Sequence, residues 1–119
     1  QHMGEGKTIY EALFKKFTFI LQEKLFFRAA FQNDDQNNLR DHDFELILSF
    51  YTDRIQSKTG MPLSSILKFQ LEMYCQSSIY MTVKWLLEDT PISPDALASQ
   101  LCDAMPPEVK KAFVSIDLL

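Results

Sequence analysis

Residues 62–88 read PLSSILKFQLEMYCQSSIYMTVKWLLE, and this stretch decides the fold of the chain. Mostly apolar side chains recur in it every three or four positions, which is the spacing of one face of an α-helix. That face comprises Leu63, Ile66, Leu67, Gln70, Met73, Tyr74, Ser77, Met81 and Trp85. The sequence therefore predicts one long helix here, with this face directed toward the core.

The opposite face of this predicted helix changes character along its length. It begins with polar side chains and continues at the same spacing with Ile79, Val83 and Leu86. A helix that is apolar on both faces needs a second layer to pack against. Either a second subunit or the C-terminal helix of the same chain could supply that layer, and the pattern leaves both possibilities open.

The composition describes an acidic domain of ordinary size. The chain has 119 residues, of which 46% are hydrophobic and 24% are charged, and its formal net charge is -4. An acidic chain is poorly suited to hold nucleic-acid phosphates, so we expect it to make no contact with nucleic acid by itself. Cys75 and Cys102 form no C-x-x-C motif and indicate a reduced, cytoplasmic protein. We expect no membrane partner, because no apolar run is long enough to span a bilayer.

Two helices are predicted in the first third of the chain. Thr8-x-x-Glu11 is a capping box, and an apolar face follows it at helical spacing. The phase of this pattern shifts near Glu23, which predicts a kink or a second short helix that continues to Phe31. Residues 33–38 have short polar side chains that compete for backbone hydrogen bonds, so they predict a loop.

Local signals also mark the ends of the later helices. Asn38 is a candidate cap for a helix that ends near Ser57, and Gly60 supplies the left-handed residue common at helix C-termini. The short link to residue 62 implies that the next helix is an antiparallel neighbour. Residues 93–95, SPD, predict a further helix start, with Ser as cap and Pro in the first turn.

These signals together predict an all-α domain, an antiparallel bundle of about five to six helices over residues 5–113. Pro106-Pro107 breaks the chain before a last helical turn or two at residues 108–113, and residues 114–119 are predicted to be a tail. We interpret residues 1–4, QHMG, as a cloning remnant, so we expect the natural protein to continue N-terminally.

The sequence offers little material for catalysis. His42 is the one histidine after the predicted remnant, and the flanking Asp41 and Asp43 would diverge from it on a helix. Phosphate-binding loops need glycine, and only Gly6 and Gly60 remain for that purpose. We therefore predict no enzyme, no catalytic residue, no metal site and no cofactor.

Several polar side chains lie in or beside the apolar faces of the two longest predicted helices. They are Tyr51, Arg54, Gln70, Tyr74, Ser77 and Ser78. Because buried polar groups need hydrogen-bond partners, these groups either bond to one another and to water or point into a small-molecule cavity. The walls of such a cavity would come from Phe14, Phe17, Phe27, Phe31, Phe50, Phe69 and Met73.

Motifs at both ends of the chain resemble those of TetR-type transcriptional regulators. Residues 85–88, WLLE, followed by residues 93–98, SPDALA, are similar to the end of the C-terminal domain in one branch of this family. That branch includes a regulator of a dihydroxyacetone kinase operon. Residues 25–27, LFF, before a polar loop are similar to the early segment of the same domain. The similarity in helix order and spacing extends over residues 8–113.

The resemblance implies a homodimer that responds to a small-molecule effector. In the family, the last two long helices of each subunit form a four-helix bundle across a two-fold axis. This assigns to the subunit interface Ile79, Val83, Leu86, Leu87, Leu97, Leu101 and Met105. An effector held between the helices would change the spacing of two DNA-reading heads. The implied effector site comprises Phe17, Phe27, Tyr51, Arg54, Gln70, Met73, Tyr74 and Ser77.

Two other functions fit parts of the sequence. The helix-turn-helix domain that precedes this domain in the family is absent from the chain, so we expect the chain by itself not to read DNA. One alternative function is an interaction module, a helical dimer with a filled core that binds a protein partner as a co-activator. An enzyme or an enzyme accessory subunit is the other, and it would need several inward-facing His or Glu side chains that the sequence lacks. A cavity distinguishes the effector-binding domain from the interaction module.

Overall fold

The computed structural model describes residues 8–32, 38–88 and 91–119. Within them the chain forms six helices and no strand, which confirms the predicted all-α fold. The helices are α1 (Ile9–Gln22), α2 (Lys24–Gln32), α3 (Asn38–Thr59), α4 (Ser65–Leu87), α5 (Pro94–Asp103) and α6 (Pro107–Ser115). The predicted remnant at residues 1–4 and the predicted loop at residues 33–37 lie outside the described residues.

The first helix begins and ends where local chemistry predicts. Thr8 Oγ1 accepts a hydrogen bond from the Glu11 N–H at 3.1 Å, and a Glu11 carboxylate oxygen accepts one from the Thr8 N–H at 3.2 Å. At the other end, the Glu23 N–H donates to the carbonyls of Phe19 and Ile20 at 3.1 and 3.2 Å. A second helix begins at the next residue, so the predicted second short helix is confirmed.

Glycine is required in the turn between α3 and α4. Gly60 has a φ of 72°, a conformation that side chains with a Cβ rarely adopt, and its N–H donates to the Gln56 carbonyl at 2.8 Å. Ser64 then caps α4 by accepting a hydrogen bond from the Leu67 N–H at 3.2 Å. This tight turn lets α3 pack against α4.

The turn between α4 and α5 is held by the residues of the C-terminal motif. Trp85 Nε1 donates a hydrogen bond to the Ile92 carbonyl at 2.6 Å. Ser93 Oγ accepts from the Ala96 N–H at 3.1 Å, with Pro94 as the first residue of α5, as predicted. The motif therefore has a structural task, which is to direct the chain back across the bundle.

Helix α4 is the centre of the fold. It packs against α2, α3 and α6, while α1 packs against α2 and α5. The largest fully buried side chains come from three of these helices: Phe17 of α1, Leu71, Cys75 and Leu86 of α4, and Val109 and Phe113 of α6. One face of α4 is therefore enclosed by the rest of the chain.

The enclosed face of α4 agrees only in part with the face that the periodicity predicted, since Tyr74 and Trp85 of that face are buried. Met73 is 48% exposed and Ile66 is 61% exposed, although both were predicted to face the core. Ile79, Val83 and Leu86, on the predicted outer face, are all buried. The reason is that α4 carries apolar side chains on both sides, so the pattern has no single direction from which to read the inner face.

The last residues of the chain belong to the core, so the predicted tail at residues 114–119 is wrong. Ile116 and Leu118 are buried, and the Leu118 N–H donates to the Phe113 carbonyl at 2.9 Å. The Leu118 carbonyl accepts a hydrogen bond from the Ile9 N–H at 2.7 Å. The C-terminal segment therefore closes the bundle against the first turn of α1.

Two neighbouring leucines test this closure. Leu118→Ala is expected to lower the free energy of unfolding by about 2–4 kcal/mol, because it removes a buried side chain and leaves a cavity. Leu119→Ala is the matched control, since Leu119 is 43% exposed. We expect a change within about 0.5 kcal/mol for the control. Urea denaturation followed by circular dichroism measures both, and equal losses would contradict the buried position of Leu118.

Candidate functional site

A cavity of about 430 Å³ lies between the first four helices. Helix α1 contributes side chains between Leu13 and Ile20, and α3 contributes side chains between Asp43 and Tyr51. Helix α2 supplies Phe27 and Phe31, and α4 supplies one side of the cavity. The α4 residues are Tyr74, Cys75, Ser78, Ile79, Thr82 and Val83.

Aromatic rings form much of the cavity wall. They belong to Phe17, Phe19, Phe27, Phe31, Phe50, Tyr51 and Tyr74. Several pack edge to face, with ring centroids 5.9 Å apart for Phe19 and Phe27 and 5.5 Å apart for Phe50 and Tyr51. Such pairs fix the ring planes beyond what apolar burial alone would do. The wall is therefore apolar and well defined in shape.

Two charged side chains from different helices line the same cavity. Burial lowers the pKa of the Lys16 ammonium, and the negative charge of Asp43 opposes that shift. Burial likewise raises the pKa of the Asp43 carboxyl, and the positive charge of Lys16 opposes that shift. Each group thus favours the charged form of the other. The cavity carries one cationic and one anionic group whose charges compensate.

The hydroxyl groups of the cavity residues differ in whether they form hydrogen bonds within the protein. The Tyr74 hydroxyl donates to the Leu101 carbonyl at 2.5 Å, and Thr82 Oγ1 donates to the Ser78 carbonyl at 2.7 Å. The Tyr51 side chain is only 3% exposed, and its hydroxyl has no hydrogen-bond partner among the described residues. Burial raises the pKa of the Tyr51 hydroxyl well above its usual value, so this group remains a donor at neutral pH.

Four of the eight residues predicted for the effector site line this cavity. They are Phe17, Phe27, Tyr51 and Tyr74. They come from four different helices, α1 to α4, so the fold brings together side chains that are far apart in sequence. The predicted wall residues Phe31 and Phe50 line the cavity as well.

The other four predicted site residues lie outside the cavity lining and have other contacts. Gln70 Oε1 accepts a hydrogen bond from the Glu108 N–H at 2.9 Å and so holds the first turn of α6. The Arg54 guanidinium lies over the Phe50 ring, 5.9 Å from its centroid. Met73 and Ser77 are exposed because they lie on the outer face of α4. The predicted wall residues Phe14 and Phe69 are exposed too.

The residues predicted for the subunit interface are mostly inside the single chain. Six are buried: Ile79, Val83, Leu86, Leu97, Leu101 and Met105. Leu87 is half-buried. The chain's own helices therefore supply the second layer for this side of α4, which was one of the two possibilities that the sequence left open. In this conformation a partner chain has no access to the six buried side chains, so they are corrected from interface to core.

Sequence reasoning missed the charged residues of the cavity. Lys16 was not among the predicted site residues, and Asp43 was considered only beside His42, which is exposed. Lys16 lies three residues after Leu13 and four before Ile20, so its helical spacing does place it on the buried face. Among the described residues, no group of three or more His, Cys, Asp or Glu side chains is placed to hold a metal ion.

A family comparison identifies the class of protein to which this fold and cavity belong. The model of the C-terminal region of TetR transcriptional regulators matches residues 7–106, which is most of the chain. The chain therefore belongs to the TetR C-terminal domain family, which is a family of regulators and not of enzymes. No curated protein and no solved structure matches the chain. No described helix has the length and apolar character needed to cross a membrane.

The two cysteines provide a test of how accessible Cys75 is beside the cavity. Burial raises the pKa of the Cys75 thiol to about 12, and the side chain is 1% exposed. Cys102 is only half-buried. Because the thiolate is the reactive form, we expect Cys102 to react with a disulfide reagent at pH 8 at least about tenfold faster than Cys75.

Single variants assign the two reaction rates. Cys75→Ser should keep the faster reaction, and Cys102→Ser should lose it, as followed by the absorbance of the released thiol. Equal rates in the two variants would mean that the reagent reaches Cys75 as readily as Cys102, which contradicts the buried position of Cys75.

Proposed function

We propose that this chain is the regulatory domain of a TetR-type transcriptional regulator and that it binds a small apolar effector between α1, α2, α3 and α4. The observation that carries the proposal is the cavity itself. Its volume of about 430 Å³ falls in the range of about 300–1,000 Å³ that is usual for small-molecule sites. Aromatic walls with a few polar groups are also the usual composition of such a site.

The cavity favours effector binding over the interaction module, whose core would be filled. Its walls come from α1, α2, α3 and α4, with Leu101 of α5. A ligand that fits one arrangement of these helices better than another shifts the population toward that arrangement. In a regulator, that shift is passed to a DNA-reading domain, and the coupling equals the difference in affinity for the two states.

The motif at the end of α4 supports a closer assignment within the family. Trp85 and Ser93 hold the turn into α5 through their hydrogen bonds to Ile92 and Ala96. We assign the chain to the branch that includes the dihydroxyacetone kinase operon regulator, since that branch has a helix ending in Trp-Leu and a helix opening in Ser-Pro at these positions. We assign the regulator to the cytoplasm, because a regulator of this class acts on DNA.

The exposed face of α4 is the surface that we assign to the homodimer. Ile66, Phe69, Met73 and Tyr80 lie on it at helical spacing and are 61%, 68%, 48% and 65% exposed. Several large apolar side chains exposed on one helix face are typical of an interaction site. Domains of this family typically dimerise, and one helix paired with its symmetry mate is a self-complementary interface. A second copy of the chain is therefore the proposed occupant.

Adjacent serines on α4 test the effector site. Ser78 lines the cavity and Ser77 is exposed, so Ser78→Leu fills the cavity while Ser77→Leu does not. The neutral dye N-phenyl-1-naphthylamine, which fluoresces in apolar surroundings, reports binding. We expect wild type and Ser77→Leu to bind the dye with similar affinity, and Ser78→Leu to bind at least about tenfold more weakly.

The comparison of the two serine variants distinguishes two possible locations of the dye-binding site. Loss of dye binding in Ser77→Leu but not in Ser78→Leu would place the site on the face of α4 that the sequence pattern first suggested. Absence of dye binding by wild type at the solubility limit of the dye would contradict an apolar effector cavity. Circular dichroism of both variants confirms that each is folded.

The oligomeric state tests the proposed interface. Met73→Glu places a charge on the exposed apolar face of α4, and a charge buried in an interface without a partner is costly. We expect a dimer for wild type and a monomer for Met73→Glu in sedimentation equilibrium at micromolar concentration. Gln56→Glu is the matched control, because it adds the same charge at an exposed position of α3 and should leave the dimer intact. A wild-type monomer would overturn the assignment.

A further inference from the structure

We propose that the effector is an uncharged aromatic compound with a hydrogen-bond-accepting oxygen, such as an aromatic ketone or quinone, and that Tyr51 is the residue that selects it. This inference rests on the proposed function, because it concerns the chemistry of the same cavity. Three features of the cavity support it: the shape of its walls, its balance of charge, and the hydroxyl of the lining residue Tyr51, which makes no hydrogen bond to another described residue.

The walls favour a flat aromatic ring. The cavity is bounded by aromatic side chains from α1, α2, α3 and α4, and the rings of Phe19 and Phe27 meet edge to face. Aromatic rings prefer offset-stacked and edge-to-face contacts, and each such contact adds to the affinity gained from apolar burial. A rigid ring system also loses less conformational freedom on binding than a flexible chain of the same area.

The charges favour a neutral ligand. Lys16 and Asp43 both line the cavity, and each stabilises the charged form of the other. A ligand carboxylate would therefore meet Asp43 as well as Lys16, and a ligand ammonium would meet Lys16 as well as Asp43. Since a charged ligand also gives up its hydration on entry, it gains no net attraction that offsets this cost.

The hydroxyl groups favour a ligand that accepts a hydrogen bond. Tyr74 and Thr82 donate to carbonyls of the protein, and Ser78 bonds to Tyr74, whereas the Tyr51 hydroxyl makes no hydrogen bond to another described residue. Tyr51 lines the cavity and is buried. A ligand that displaces solvent from the cavity leaves this donor unpaired unless it offers an acceptor, so a ligand oxygen that accepts from Tyr51 avoids that penalty. An otherwise identical hydrocarbon does not.

Four naphthalenes that differ only in one substituent test this inference. They are 2-acetylnaphthalene, 2-ethylnaphthalene, 2-naphthoate and 2-naphthylmethylammonium. Affinities are measured by displacement of N-phenyl-1-naphthylamine at pH 7.0. We expect the ketone to bind roughly fivefold more tightly than the ethyl compound, the gain typical of one net hydrogen bond. Both charged compounds should bind at least about tenfold more weakly than the ketone.

Two variants assign the preference to named side chains. Tyr51→Phe keeps the ring, whose centroid lies 5.1 Å from that of Phe113, and removes only the hydroxyl. It should bind the ethyl compound as wild type does and lose the preference for the ketone. Asp43→Asn leaves Lys16 uncompensated, so it should bind 2-naphthoate at least about fivefold more tightly than wild type, with little change for the ketone.

The outcomes distinguish failure of this inference from failure of the effector site. If wild type binds all four compounds but prefers a charged one, or does not distinguish the ketone from the ethyl compound, the ligand class is wrong and the cavity remains a binding site. If Tyr51→Phe retains the ketone preference, Tyr51 is not the selecting residue. If wild type binds neither the dye nor any naphthalene, both proposals are overturned.

Discussion

The burial of one face of α4 by its own chain is the constraint on which the rest of this domain depends. Leu71 and Cys75 are enclosed in the core, and Leu86 is enclosed near the end of the same helix. The hydrogen bond from Trp85 to Ile92 then turns the chain so that α5 returns across the bundle to pack on α1. Because this face is occupied, α4 presents its remaining apolar side chains to the outside.

The cavity and the proposed interface are consequences of the same arrangement. Tyr74 shows the connection most directly, since its ring lines the cavity and its hydroxyl holds the Leu101 carbonyl of α5. Met73, one residue earlier, lies on the exposed face. Under the proposed function, adjacent residues of one helix serve a ligand site and a subunit surface. A ligand that alters the packing of α4 would act on both, which is a physical route for coupling effector binding to the geometry of a dimer.

Local structure was predictable from the sequence because it depends on neighbouring residues. The capping box at Thr8, the left-handed Gly60 and the Ser93 cap each satisfy backbone groups within a few positions, and all are present as predicted. The inner face of α4 was not predictable, since apolar side chains on both sides give two equally good orientations. Packing between segments that are distant in sequence decides which face of α4 is buried, and the helical pattern does not encode that packing.

The contrast between local pattern and long-range packing also explains which residues of the candidate site could be predicted. Aromatic residues at helical spacing, such as Phe17 and Tyr51, were placed correctly along the cavity because each lies on the buried face of its own helix. Lys16 and Asp43 were missed because charged residues are usually solvated, and only the meeting of α1 and α3 shows that these two share a cavity. The buried position of Leu118 depends likewise on a contact with Ile9 at the other end of the chain.

Hydroxyl-radical footprinting over a range of protein concentrations tests the orientation of α4 most directly. From this orientation of α4 we predict that Trp85 and Tyr74, both buried in the single chain, are protected from oxidation at every concentration. Met73 and Tyr80, on the exposed face, should be oxidised in dilute solution and become protected as the dimer forms. Oxidation of Trp85 that falls with concentration, or oxidation of Met73 and Tyr80 that does not change as the dimer forms, would contradict the account.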